Sequence, residues 1–255
     1  MHRFALVMTA ALLTASQANA AALKLLVGGA MAAPFREVGA EFSRKSGDKL
    51  EMVADTTGAL LKRMRAHENA DIILVSAQGM EQLEQEHLVM PGSRADLATA
   101  AIGVSVRSGA TAPDISTTDA FQRALLTAHS IAYVDPKAGG TSGIYLDGLF
   151  RRLGIYDQIA KKAVLRMQGS EVADAVASGQ AELGLTFISE MAPNKGVRIA
   201  GPLPDATQNA TVYSVAIPAA SGHKDEARAF IAAISAQSAR PIIRKAGLTP
   251  LGDKR

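Results

Sequence analysis

Short apolar runs alternate with amphipathic stretches along the chain from Leu23 onward. The runs have the length of buried strands, whereas the stretches carry apolar residues three and four positions apart, as helices do. Residues 23–27 form one such run, and Phe35, Val38 and Phe42 then form a helical stripe. This alternation predicts an α/β protein in which helices connect the strands.

The predicted elements form two series, and the second begins near residue 108. The first has strands at 23–27, 49–54 and 71–75, a helix after each, the third through Met80, Leu83 and His87, and an apolar segment at 97–106. The second has helices at 117–128, 144–153 and 170–178, the last with Ser170 as its N-cap, strands at 130–134, 163–167 and 182–188, and a loop at 139–143. A strand at 211–217 and helices at 224–235 and 239–245 follow.

The order of these elements predicts a two-lobed protein. Each lobe is a mixed sheet flanked by helices, with a hinge and a central cleft between the lobes. Segment 97–106 crosses to the second lobe and strand 211–217 returns, so lobe 1 comprises residues 21–101 and 210–255, and lobe 2 comprises residues 102–209. Ligands of open α/β sheets bind beyond the carboxyl ends of strands, which nominates four loops: 28–33, 55–58, 76–79 and 139–143.

The first twenty residues have the pattern of a secretory signal peptide. His2 and Arg3 precede an apolar run at 4–15, and Ala18-Asn19-Ala20 supplies small residues for cleavage at its end. The run is shorter than the roughly 20 residues that a membrane-spanning helix needs. The sequence therefore predicts a soluble protein that is exported to the periplasm.

The amino-acid composition argues against several classes of binding site. The chain has no Cys, which argues against a disulfide scaffold and against zinc or iron–sulfur centres held by Cys. Lys and Arg number 27 against 24 Asp and Glu, and this small excess is scattered, so it does not indicate nucleic-acid binding. The close basic groups at 62–65 and 151–152 fall on helical patterns and are interpreted as solvated faces. We predict a monomer with no metal and no cofactor.

Three loops carry hydroxyl groups or glycines at places where helices begin. Thr56-Thr57-Gly58 and Ser76 each follow a predicted strand, and Gly139–Gly143 combines three glycines with two hydroxyls. Unpaired N–H groups at a helix start and neighbouring hydroxyls suit an anionic oxygen. Ordinary N-caps and a generic turn would have the same sequence, so both interpretations stay open.

Neither hydrolytic nor metal-binding motifs are present. The chain has no G-x-S-x-G and no H-x-x-x-H, and the histidines after residue 20 fall on separate predicted surfaces: His67, His87, His129 and His223. Ser189-Glu190, just after strand 182–188, is the most interesting carboxylate position. A Glu there can transfer a proton in a cleft, or it can simply cap a helix or form a salt bridge.

Segments spread over almost the whole mature chain resemble a known family. They are LLVGGAMAAPFREVGAEFSRKSG, ADTTGALLKRM, ADIILVSA, DPKAGGTSGIYLDGLFRRLGI, SGQAELGLTFISE and DEARAFIAAI with RKAGLTP. In order and spacing they resemble the periplasmic molybdate-binding-protein-like group of ABC-transporter solute receptors, a group that also includes aconitate isomerase. The resemblance implies the two-lobed type II periplasmic binding fold.

Two positions depart from the molybdate-binding pattern. Ala30, before Met31, stands where the resemblance implies a Ser, and Phe187 stands where it implies a Tyr, whereas Thr57 keeps the second hydroxyl. A small oxyanion needs many donors to replace its hydration, and two are lost here. The departures favour a differently shaped anion such as an organic carboxylate.

The resemblance implies two alternative functions. The first is a binding protein that closes its lobes on a small anion and delivers it to an ABC permease. The second is an isomerase of an unsaturated tricarboxylate, in which Glu190 is the candidate proton-transfer group. For either function the expected ligand contacts are Ala30, Met31, Thr56, Thr57, Ser76, Gly140, Thr141, Ser142, Gly143, Phe187 and Ser189.

Overall fold

Eleven strands lie within residues 20–252, the part of the chain that the computed structural model describes. They are β1 (Ala22–Gly28), β2 (Lys49–Asp55), β3 (Ile72–Ser76), β4 (Ala95–Ala100), β5 (Ile102–Arg107), β6 (Ile131–Val134), β7 (Ala163–Arg166), β8 (Leu183–Phe187), β9 (Val197–Pro202), β10 (Thr211–Ala216) and β11 (Leu248–Pro250). The same residues form ten α-helices: α1 (Ala32–Ser46), α2 (Thr57–Arg65), α3 (Ala77–Gln85), α4 (Thr118–Thr127), α5 (Thr141–Arg152), α6 (Tyr156–Ala160), α7 (Gly169–Ala177), α8 (Ile188–Met191), α9 (Lys224–Ser235) and α10 (Arg240–Lys245).

The strands form two mixed sheets. The first has the order β11-β4-β10-β3-β1-β2, and the second has the order β7-β6-β8-β5-β9. In the first sheet β1 pairs in parallel with β2 and β3, and β10 runs antiparallel to its neighbours. In the second, β6 is parallel to β7 and β8, and β5 is antiparallel to its neighbours. The predicted α/β class with two mixed sheets is confirmed.

The chain passes from one sheet to the other twice. It enters the second sheet between β4 and β5 and returns between β9 and β10, so the first sheet takes strands from both ends of the chain. The predicted apolar segment at 97–106 is therefore two strands in different sheets. The exact lobe bounds stay a prediction, and lobe 1 and lobe 2 are used below in that sense.

Two helix boundaries differ from the prediction because of local geometry. Helix α3 ends at Gln85 rather than His87, since His87 has a φ of 56°, which does not continue a right-handed helix. Helix α7 begins at Gly169, and its N-cap is Gln168 rather than Ser170. Gln168 and Glu171 form a capping box there, which satisfies backbone N–H groups on both sides.

The glycine-rich loop is also shorter than predicted. Helix α5 begins at Thr141, so the last three residues of the predicted loop 139–143 belong to its first turn. Four short elements, α6, α8, β9 and β11, were not predicted, because three to six residues are too few to reveal a period.

Aromatic side chains pack against one another in the core of each lobe. Phe230 on α9 packs against Phe35 and Phe42 on α1, with ring centroids 5.6 and 5.3 Å apart, and Tyr133 on β6 meets Phe150 on α5 at 5.5 Å. All five residues of β3 are buried, and alternate ones belong to different apolar clusters. Helices therefore cover both faces of the first sheet, which leaves the strand ends as the place for polar groups.

The predicted signal peptide, apart from Ala20, lies outside the described residues. Within residues 20–252, no helix combines the length and the apolar character needed to cross a bilayer.

Candidate active site

The two lobes touch directly where α2 begins. Thr56, the N-cap of α2, donates from Oγ1 to the carbonyl oxygen of Ala138 at 2.7 Å. The N–H of Gly58 donates to the carbonyl oxygen of Gly139 at 3.0 Å, and a Cβ on Gly58 would lie only 2.8 Å from the Cα of Gly139. We call this contact, made of Thr56, Gly58, Ala138 and Gly139, the interlobe latch. The helix start that the sequence nominated for an anion is thus occupied by carbonyl groups of the other lobe.

A cavity of about 410 Å³ lies beside the latch and between the lobes. Its walls follow β1 and β2 in lobe 1 and β7 and β8 in lobe 2, as expected for a site beyond strand ends. Its polar lining consists of Arg36, Asp55 and Thr56 from lobe 1 and of Gln168, Ser170, Asp174, Ser189, Glu190 and Asn194 from lobe 2. The volume suits a small organic ligand.

Glu190, on the short helix that follows β8, places a carboxyl group in this cavity. Its Oε2 accepts a hydrogen bond from Thr186 Oγ1 at 2.6 Å, and the N–H of Phe187 also donates to the carboxyl. Protein atoms surround the group, although part of its surface stays open to the cavity. Burial raises the pKa of Glu190 to about 7, and the two hydrogen bonds only partly oppose that effect. Both protonation states are therefore populated near neutral pH.

A chain of hydroxyl groups supports this carboxyl. Thr186 is fully buried, and its Oγ1 lies 3.1 Å from Ser142 Oγ. Because Thr186 gives its proton to Glu190, Ser142 acts as the donor to Thr186. Ser142 belongs to the predicted glycine-rich loop. Thr141, from the same loop, also takes part in the site, because its side chain forms a hydrogen bond with the hydroxyl of Tyr213.

Tyr213 comes from β10 in lobe 1 and reaches across to lobe 2. Its ring packs edge-on against Phe187, with centroids 5.9 Å apart. Burial, together with the nearby charge of Glu190, raises the pKa of Tyr213, so its hydroxyl stays protonated. The resemblance implied a tyrosine at the position of Phe187, and here a tyrosine from the other lobe stands against that position.

Ser189 has an unsatisfied hydroxyl at the cavity wall. The residue is 3% exposed, and its Oγ has no hydrogen-bond partner among the described residues. A buried hydroxyl without a partner is costly, so it indicates a place where a ligand or water would bond.

Arg36 is the cation of the polar lining. It lies on the exposed side of α1, and within residues 20–252 it forms no ion pair. The two aspartates of the lining are already engaged. Asp55 accepts from the N–H of Thr56 and lies 3.8 Å from Arg63, and Asp174 accepts from Asn194. Arg36 is thus available to bind a carboxylate.

The structure brings only some of the predicted contacts into the cavity. Thr56, Ser189 and Glu190 line it, and Thr141 and Ser142 lie behind Glu190. The remaining predicted contacts are not part of the lining, and for them a ligand role stays a prediction: Ala30, Met31, Thr57, Ser76, Gly140, Gly143 and Phe187.

The hydroxyls of Thr57 and Ser76 are used inside lobe 1. Thr57 Oγ1 accepts from the N–H of Ser76 at 3.2 Å, and Ser76 Oγ accepts from the N–H of Gly79 at 3.3 Å. Both are therefore helix-start hydroxyls bonded to protein, as the alternative interpretation of these motifs allowed.

Sequence reasoning missed Arg36, Gln168 and Tyr213. Arg36 lies one helical turn after Ala32, another cavity residue, and this spacing is a usable signal. Gln168 is followed three residues later by Glu171, the spacing of a capping box. No local signal marks Tyr213, because its neighbours at the site come from the other lobe.

The comparison with known families agrees with this architecture. The family model described as bacterial extracellular solute-binding protein matches residues 23–249. The chain belongs to this family. Among solved structures, the periplasmic molybdate-binding protein of Azotobacter vinelandii has a TM-score of 0.76 at 18% identity, covering 89% of this chain and 98% of that one. The sulfate-binding protein SubI of Mycobacterium tuberculosis H37Rv has a TM-score of 0.72 at 16% identity, covering 91% and 88%. The predicted two-lobed type II fold is confirmed.

One curated relative of this solute-binding protein is more similar in sequence. It is an aconitate isomerase from a Pseudomonas species, 35% identical over 236 residues, which cover 90% of this chain and 88% of the relative. The resemblance inferred from the sequence segments is thus confirmed, including the link to aconitate isomerase.

Proposed function

We propose that this solute-binding protein is an isomerase of a small unsaturated polycarboxylate, with trans- and cis-aconitate as the substrate pair to test first. The observation that carries the proposal is a carboxyl group, Glu190, with a pKa of about 7 in a cavity between the lobes. A group that exchanges protons near the working pH is suited to general acid–base catalysis. The relative at 35% identity supports the choice of substrate.

The reaction needs only a proton shift along three carbon atoms. Deprotonated Glu190 takes a proton from the methylene carbon next to the double bond, so a C–H bond breaks and an O–H bond forms. The electron pair shifts and the double bond moves by one position. Glu190 then returns the proton to the former vinyl carbon and regains its charge. Atoms and electrons balance without a co-reactant.

Negative charge spreads into the substrate carboxylates during this shift. Arg36 is positioned to offset it, and the Ser189 hydroxyl provides a further donor. The first N–H groups of α7, at Gly169 and Ser170, also border the cavity and have no acceptor within their own helix. These groups suit a carboxylate better than a neutral solute.

Turnover of trans-aconitate by the purified protein, followed by chromatography of the products, tests the proposal. We expect Glu190→Gln to lower turnover by about 10²–10⁴-fold, with the thermal shift on adding trans-aconitate retained. Glu41→Gln is the matched control, because Glu41 lies on the surface in an ion pair with Lys45. Binding of trans-aconitate by the wild type with no turnover contradicts the enzyme.

That last outcome favours the second candidate, an exported binding protein that hands a small anion to an ABC permease. The family match and the direct contact between the lobes support it. A thermal-shift screen of molybdate, sulfate and tricarboxylates separates ligand classes, since a ligand at 100 times its Kd adds about 2.7 kcal/mol to stability. Export itself stays a prediction, which rests on the signal-peptide pattern at residues 1–20.

A further inference from the structure

The carboxyl group of Glu190 lies between two glycines that come from different lobes. Gly29 is the first residue of the 3-10 helix after β1, and Gly169 is the first residue of α7. A Cβ on Gly29 would lie 2.5 Å from Oε1 of Glu190, and a Cβ on Gly169 would overlap Oε2. The carboxyl has its present position only because neither residue has a side chain.

Backbone conformation does not explain these glycines. Neither has a positive φ, so other residues can adopt the same backbone angles. Gly28 is different, because a Cβ there would meet the buried ring of Tyr213 at 2.8 Å. At Gly29 and Gly169 the group in the way is the flexible end of Glu190. An added methyl therefore moves the carboxyl rather than the fold.

We propose that Gly29 and Gly169 are positioning residues that hold Glu190 against Thr186, and that Gly29 does so only while the two lobes are in contact. We call Gly29 and Gly169 the clamp, and its role in catalysis rests on the proposed function. Glu190 and Gly169 belong to lobe 2, whereas Gly29 belongs to lobe 1. Closure of the lobes thus completes the orientation of the base at the moment when the ligand is enclosed.

Substitution of the glycines leaves every other charged group of the site in place. Those around Glu190 are Tyr213 on β10, which is close enough to sense its charge, and three residues that line the same cavity: Arg36 on α1, Asp55 on β2 and Asp174 on α7. A change in the titration of Glu190 in the glycine variants therefore reports its displacement from Thr186 and Phe187 toward cavity water.

The test compares Gly29→Ala and Gly169→Ala with two control variants. In Gly148→Ala, on α5, the new Cβ would lie 3.4 Å from Arg152. In Gly222→Ala, no atom would lie within 4 Å of the new Cβ. The readouts are kcat and KM with trans-aconitate, the Tm, and the titration of the Glu190 carboxyl carbon by NMR in the ligand-free protein. Glu190→Gln assigns the resonance.

We expect kcat to fall at least about tenfold in both clamp variants with KM changed less than about threefold, because a displacement of about 1 Å is costly in catalysis. The titration midpoint should move from about 7 toward 4.5 with no loss of Tm, because exposure to cavity water relieves desolvation, the largest cause of the raised pKa, and this outweighs the loss of the two hydrogen bonds. The controls should match the wild type.

Unchanged kcat and an unchanged midpoint in both clamp variants overturn the proposal, as does a lowered Tm without a shifted midpoint. Each position tests the clamp separately, so one folded variant is sufficient. If the wild type does not turn over trans-aconitate, the proposed function fails, but the NMR titration still decides whether the clamp exists.

Discussion

The interlobe latch and the part of the cavity around Glu190 lie at the same kind of sequence position, but they differ in how fully their polar groups are bonded to protein. Each lies where a strand ends and a helix begins, after β2 in one case and after β8 in the other. In the latch, the Thr56 hydroxyl and the Gly58 N–H are bonded to carbonyl groups of the other lobe. Beside Glu190, the Ser189 hydroxyl has no hydrogen-bond partner among residues 20–252. The two hydrogen bonds to the Glu190 carboxyl only partly offset the effect of its burial.

The difference teaches that a polar group at a strand end can either hold the lobes together or meet a ligand. A group already bonded to protein stabilises the closed arrangement. A group left unsatisfied, or kept close to its titration point, is available for a ligand or for chemistry. Four predictions test this division between the two regions, beginning with the largest effect.

Replacement of Glu190 by Gln should change how stability depends on pH. The pKa of Glu190 is raised from 4.5 to about 7 in the folded protein, so the folded state binds this proton more tightly than the unfolded state. The resulting stabilisation is fully present below pH 4.5 and is lost as the pH rises through about 7. The loss amounts to about 3 kcal/mol at most.

Chemical denaturation of both proteins at pH 4.5 and at about pH 8 measures this contribution. The wild type should lose more unfolding free energy than Glu190→Gln on going to the higher pH. Parallel pH dependence in the two proteins rules out a buried, proton-binding Glu190.

Gly58→Ala should open the latch without damaging its helix. The new Cβ would lie 2.8 Å from the backbone of Gly139, which cannot move as a side chain can. Overpacking of this kind costs about 2 kcal/mol, which corresponds to roughly thirtyfold weaker binding of trans-aconitate. Calorimetry measures the affinity, and small-angle scattering should show a larger radius of gyration.

Gly148→Ala is the matched control, since it places the same methyl on another helix near Arg152 only. If Gly58→Ala has the same affinity for trans-aconitate and the same radius of gyration as the wild type, the latch does not limit closure.

Arg36→Ala should weaken substrate binding and leave the fold intact. A charge-assisted hydrogen bond to a carboxylate contributes about 1.5 kcal/mol or more, so KM for trans-aconitate should rise roughly tenfold. Arg44→Ala on the same helix removes an equal charge away from the cavity and should have little effect. Equal KM values for the two variants indicate that only the net charge matters.

Thr56→Val should have the smallest effect, and it separates the two roles of this hydroxyl. As an N-cap it contributes about 1 kcal/mol to stability, and Thr117, the N-cap of α4, should contribute the same. Thr56→Val and Thr117→Val should therefore both lose this capping contribution, whereas only Thr56→Val also loses the bond to Ala138 and should weaken binding of trans-aconitate, by a few-fold. Equal affinities in the two variants exclude a latch role for the hydroxyl.

The sequence pointed to the region of the cavity, but several of the residues that it nominated there are not part of the cavity lining. The strand-end loops after β2 and β8 border the cavity, and Thr56, Ser189 and Glu190, which the sequence nominated, line it. Their role toward a ligand stays a prediction. The same reasoning could not separate Thr56 from Thr57, because adjacent hydroxyls point in different directions once a helix forms. Thr57 turns inward to the N–H of Ser76.

The periodicity of the chain by itself determined the α/β class, most strands and helices, and the crossing of the chain between two sheets, because these features depend on neighbours within a few residues. The tertiary structure alone decided which polar groups stay unsatisfied. Thr56 finds its acceptor 82 positions away, and Glu190 owes its burial to residues of both lobes. Desolvation and interlobe contact are properties of the folded arrangement, and a linear pattern does not contain them.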